Sequence, residues 1–200
     1  GRTSKEAERP VMWRLIALGA AVLLPSHGYA AEYRTREVGG WEVGESTGND
    51  SCYIGMEYEG EGSTLVILSL GIDKRPYLLV SNYNWSIKDK DEFTLNYELS
   101  NGVYEDHPAA GSKDGIRGGF ITSFEERFPE YFAQSTYLHI TRDGSIIDKL
   151  SLSGTAVAVG ELRKCVAIVK ARADAEAREK ARFADIPKDP FAAQKGDGNE

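Results

Sequence analysis

Phe93-Thr-Leu-Asn-Tyr-Glu-Leu99, followed by Ser100-Asn101-Gly102 and Val103-Tyr104, is the stretch whose reading decides the fold. Phe93, Leu95, Tyr97 and Leu99 alternate with polar residues, so an extended chain puts all four on one face. One dry face and one wet face is the pattern of an antiparallel sheet. Asn101-Gly102 is the dipeptide that most favours a tight hairpin, which returns the chain through Val103-Tyr104.

Working outward, the same signals recur. Thr136–Thr141, the Asp143-Gly144 turn and Ser145–Leu152 form a second hairpin. Upstream, residues 33–43 read as one or two short strands broken at Gly39-Gly40, with Trp41 buried. Cys52–Tyr58, Thr64–Leu70 and Tyr77–Ser81 follow as strands between Gly- and Pro-containing turns. Thr64–Leu70 is almost continuously apolar, which marks a central strand. Residues 105–119, polar and glycine-rich, read as a long loop.

Two helices complete the pattern. Ser123 with Glu126 forms a capping box, although Pro129 requires the helix either to start near Phe128 or to kink. Ser153 is expected to cap a final helix from about Gly154 into the 180s. Its first half is apolar, whereas Lys170–Arg182 carries only Ala and charges and should project into solvent. The predicted fold class is mainly β: an antiparallel sandwich or partly open barrel with one inserted short helix and a long C-terminal helix.

Met12-Trp13-Arg14, the apolar run Leu15–Leu24 and the small residues Gly28 and Ala30 have the form of a Sec-type signal peptide cleaved after Ala30. The apolar run is far shorter than the ~20 residues a spanning helix needs. Residues 1–11, ahead of Met12, are set aside as tag or upstream sequence. The chain thus divides into a leader (1–30), a β-rich domain (31–169) and a charged helical extension with a disordered tail (170–200). The expected location is periplasmic or secreted, without a membrane span. Residues 1–30 hold four of the 24 basic and two of the 31 acidic residues, so the remainder carries a formal charge of −9. Such a surface repels nucleic acid and anionic lipid.

Cys52 and Cys165 are the two cysteines. In an exported chain they are expected to form one structural disulfide, since there is no Cys-x-x-Cys spacing and no nearby histidine.

Leu150-Ser-Leu-Ser-Gly-Thr-Ala-Val-Ala-Val-Gly-Glu-Leu-Arg-Lys-Cys165-Val, together with Trp41, Cys52 and Val80-Ser-Asn-Tyr-Asn-Trp85-Ser, resembles small exported proteins of alphaproteobacteria. More distantly it is similar to the invasion-associated locus B family. The resemblance spans roughly residues 35–168 and implies a periplasmic β-sandwich. Its shared residues are packing residues, so it carries over no active site.

Chemistry-bearing patterns are sparse. The 105–119 segment, with His107, Lys113 and Arg117, is the expected recognition loop, its cations standing out on an acidic chain. Gly111–Gly119 lacks the Gly-Lys-Ser/Thr ending of a phosphate-binding loop. Adjacent ligands such as Glu105-Asp106-His107 rarely converge on one metal, and Asp89–Glu92 lacks the ligand spacing of a calcium loop. Phe120, Phe124, Phe128 and Phe132 recur every four residues, as a core stripe or an exposed aromatic strip. His139, with Asp143 as partner acid, is the alternative site for general-base chemistry, without a nucleophile elbow to support it. No cofactor or metal is implied. The leading expectation is a non-catalytic binding protein for another envelope protein or envelope component. A small envelope hydrolase or hydrolase inhibitor, and a carrier of a small apolar ligand, are the alternatives.

Overall fold

The computed structural model describes residues 32–189; the expected leader and the tail beyond 189 lie outside the described residues. The chain forms β1 (Arg36–Val38), β2 (Trp41–Glu45), β3 (Ser51–Tyr58), β4 (Thr64–Gly71), β5 (Pro76–Asn82), β6 (Glu92–Leu99), β7 (Gly102–Asp114) and β8 (Arg117–Ser123). There follow α1 (Phe128–Gln134), β9 (Tyr137–Arg142), β10 (Ser145–Ser151) and α2 (Thr155–Ala184). The ten strands make one antiparallel sheet in the order β1-β2-β3-β4-β5-β8-β7-β6-β9-β10, not closed into a barrel.

One face of this sheet is dry. Val66, Leu68, Leu78, Val80, Leu95, Tyr97 and Phe120 project from it and are buried. Helix α1, the first half of α2 and residues 83–91 cover them. Trp41 is fully buried, edge-on to Phe132 at 5.9 Å, and its indole N–H donates to the Ser153 carbonyl at 3.0 Å. A buried Trp needs such an acceptor for its one polar atom.

Helix α2 is held by more than packing. Cys52 on β3 and Cys165 on α2 form a disulfide, both sulfur-bearing residues fully buried. The Tyr33 hydroxyl donates to Glu161 at 3.0 Å, while Lys164 and Arg36 approach the same carboxylate at 2.9 and 3.4 Å. Burial first, then that carboxylate, pushes the Tyr33 phenol up to about 12. Bonds from Lys164 and Tyr33 hold Glu161 below its ordinary range. The last buried residue of α2 is Val169, and the helix runs on unbroken to Ala184.

Both expected caps are corrected. Ser123 ends β8, and α1 begins five residues later, with Pro129 in its first turn and no side-chain cap from Arg127. Proline's fixed φ is what suits that position. At α2 the N-cap is Gly154, with φ 82°, not Ser153. Gly154 crosses the β1–β2 turn against Gly39, also at positive φ, and a Cβ on either would strike the other's backbone. Only glycine permits that approach. The first hairpin differs by one residue: Ser100-Asn101 are its central residues, and Gly102 opens β7. Serine–serine bonds from Ser100 to Ser135 hold that turn. The second hairpin keeps Asp143-Gly144, both at positive φ.

The disulfide closes a chain separation of 113 residues. The chain-entropy account assigns such a loop about 4–5 kcal/mol. Equilibrium urea unfolding of the Cys52→Ala/Cys165→Ala double variant is expected to show a loss of that order, and a loss below about 1 kcal/mol would contradict it.

Candidate functional site

The 105–119 segment is not a loop. Strand β7 runs through Asp114, and only Gly115-Ile116 connect it to β8. Its glycines serve close packing. A Cβ at Gly111 would collide with the Lys88 carbonyl, one at Gly118 with the Trp85 carbonyl, and one at Gly119 with Val80 and Ser81 of β5. Segment 83–91 therefore lies directly on the backbone of β7 and β8, anchored by Trp85 stacked on Phe120 at 5.7 Å. A polar glycine-rich string can be a mobile connection or a strand that another segment crosses, and here it is the second.

The residues expected to act from that segment are mostly engaged within the chain. His107 places Nε2 2.8 Å from the Ser123 carbonyl and stacks on Phe124 at 4.7 Å. Arg117 pairs with Glu57 and lies 4.0 Å over the Tyr83 ring, its side chain 12 % exposed. The Lys113 side chain is exposed, and its backbone N–H donates to Asp89 at 2.6 Å.

Phe120, Phe124, Phe128 and Phe132 do not form one helical stripe. Phe120 sits on β8, Phe124 between elements, and Phe128 and Phe132 on α1; all four are buried. They are core, with the Phe124 and Phe128 rings 3.7 Å apart, so the exposed-strip reading is corrected. Around them the Tyr97 hydroxyl bonds Thr122, and Tyr104 donates to Glu125 at 2.6 Å.

His139 and Asp143 do not converge. His139, on β9, stacks on Tyr137 at 4.3 Å, and its Nδ1 lies 3.9 Å from Glu98 on the neighbouring strand. The Asp143 side chain is 87 % exposed in the β9–β10 turn beside Arg142. Among the described residues no group of three or more His, Cys, Asp or Glu is placed to hold a metal ion.

The surface that stands out lies on the other face of the sheet. Strand register puts Ile67, Leu79, Ile121 and Ala110 side by side across β4, β5, β8 and β7. Leu65, Tyr77 and Pro108 extend this band. Ile121 and Tyr77 are 38 % and 39 % exposed, and no described element covers them. Three adjoining clefts share those two residues. One of about 890 Å³ runs toward Phe93 and Pro108, and one of about 580 Å³ toward Ile72 and Asp73. The third, of about 370 Å³, runs toward Tyr53. All three are open to solvent.

Sequence reading missed this face, though its signal was present. An antiparallel strand with one wet face alternates, whereas Thr64–Leu70 and Tyr77–Val80 are apolar on both faces. Both strands are indeed central in the sheet, yet the outer-face side chains Leu65, Ile67, Tyr77 and Leu79 are not fully buried.

No protein-family model matches the chain, and no curated protein matches it in sequence. Among solved structures, the crystal structure of invasion associated protein B from Bartonella henselae is similar, with a TM-score of 0.51 at 12 % identity. The match covers 66 % of this chain and 97 % of that one. What the two share is the fold. The likeness agrees with the resemblance carried by Trp41, Cys52 and the Leu150–Val166 stretch at that coarse level.

Close packing of the β7 backbone makes a direct prediction. Gly111→Ala should cost about 2 kcal/mol or more in thermal or urea unfolding. Gly102→Ala, where a Cβ meets nothing within 4 Å, should change stability by less than about 0.5 kcal/mol. Equal, small effects at both positions would restore the mobile-loop reading.

Proposed function

We propose that this chain is a non-catalytic periplasmic or secreted interaction protein that binds another envelope protein or envelope component through the outer face of β4–β5–β8–β7. The observation that supports this reading is the in-register apolar ladder Ile67–Leu79–Ile121–Ala110, covered by no described element on a chain of net negative charge. Contiguous exposed apolar surface of this kind is a feature of interaction sites. Completing the burial of a half-exposed aliphatic side chain is worth roughly 1 kcal/mol, as much as the better surface ion pairs. Four or five such side chains acting together can hold a complex. Open clefts suit a broad partner better than an enclosed small molecule.

The leader expected at residues 12–30 would bring the protein to the compartment where such a partner resides. The buried disulfide fits an oxidising compartment. No described helix is long and apolar enough to cross a membrane.

A crosslinking pull-down from the periplasm with the native chain, beside its Ile121→Lys variant, tests the reading. Ile121 is already partly exposed, so the lysine can reach solvent and the melting temperature should stay within a few degrees. A partner recovered with the native chain and lost with the variant is the expected result. The same partner recovered equally with both would remove this face from the account.

A further inference from the structure

We propose that the occupant of this face is a basic amphipathic helix of a partner protein. The inference rests on the interaction-surface reading above and adds the chemistry of what binds.

The backbone excludes an extended ligand. Ile67, Leu79, Ile121 and Ala110 each have a strand partner on both sides, so the backbone beneath the ladder is already committed to the sheet. An extended segment laid across it would bury its own backbone polar groups against apolar side chains without partners. A helix satisfies its backbone internally and presents only side chains.

Charge then selects the kind of helix. The charged residues lining the three clefts are Glu45, Asp50, Asp73 and Glu92 against the single cation Arg75. Glu45 is paired with Arg172, which leaves Asp50, Asp73 and Glu92 against Arg75 around the ladder, a net negative rim. A second copy of this chain would bring the same carboxylates against these, and an anionic lipid surface would meet the same repulsion. Lysine or arginine flanking an apolar stripe meets both the ladder and its rim.

Dimensions agree. Four strands spaced about 4.8 Å apart put some 14 Å between Ile67 and Ala110. About ten helical residues cover that distance at 1.5 Å each. Apolar side chains at i, i+3, i+4 and i+7 would straddle the ridge formed by Tyr77 and Ile121.

The test titrates the full chain with two synthetic 18-residue helical peptides that share one leucine stripe. One stripe is flanked by lysines and the other by glutamates; a scrambled lysine peptide controls for net charge. The lysine-flanked helix is expected to bind at least tenfold tighter than either of the others. Its binding should weaken as salt rises, drop at least tenfold with Ile121→Lys, and lose its lysine preference with Asp73→Lys/Glu92→Lys. Circular dichroism confirms that the variants fold.

Equal binding of all three peptides, binding unchanged by Ile121→Lys, or no binding would each overturn the basic-helix proposal. So would dimerisation in analytical ultracentrifugation that disappears with Ile121→Lys, since the second copy would then be the occupant. These outcomes leave the pull-down result of the preceding section intact, and that result alone decides whether the face is an interaction surface.

Discussion

A single sheet has two faces, and the described residues supply cover for only one of them. The inner face is filled by Trp41, Tyr97 and the four phenylalanines and is closed by α1, α2 and residues 83–91. Helix α2 cannot leave that side. The Cys52–Cys165 disulfide joins it to β3, the Gly39–Gly154 crossing fixes where it starts, and Tyr33 clasps Glu161 at its flank. With both helices committed to the inner side, the outer face of β4, β5, β8 and β7 has no described element left to cover it.

That commitment explains an otherwise odd composition. Antiparallel sheets ordinarily turn polar residues toward water, and β6 does so with Thr94, Asn96 and Glu98. Strands β4, β5 and β8 instead carry Ile67, Leu79 and Ile121 on the wet side. None of the three is needed to fill the inner core. A docking role gives these side chains a reason to be apolar where they are. In that role the carboxylates around them would add selectivity, because like-charged partners are repelled before contact.

Much of the fold was legible because local signals agreed with tertiary structure. The alternation of Phe93–Leu99, the Asp143-Gly144 turn and the buried Trp41 each follow from short-range chemistry. The Cys52–Cys165 pairing was legible from two cysteines, the expected export and the lack of metal or redox spacing. The 105–119 segment was not, because Gly111, Gly118 and Gly119 look the same whether they free a loop or admit a crossing backbone. The caps failed for a related reason. Ser123 and Ser153 have capping chemistry, but a strand end and a glycine crossing took precedence at those points. The four-residue spacing of the phenylalanines suggested one helix, whereas they come from a strand, a connection and α1. The exposed apolar face was hidden because runs such as Thr64–Leu70 read as fully buried, and sequence alone does not say what covers the second face.

On the proposed reading, the outer face is covered in the cell and accessible in the isolated protein. Hydroxyl-radical footprinting of Tyr77, Leu79 and Ile121, in intact producing cells and in purified protein, measures this directly. The account predicts strong protection of these three in cells, with exposed Tyr83 and Ile146 modified to the same extent in both samples. Equal modification of the ladder in cells and in purified protein would contradict it.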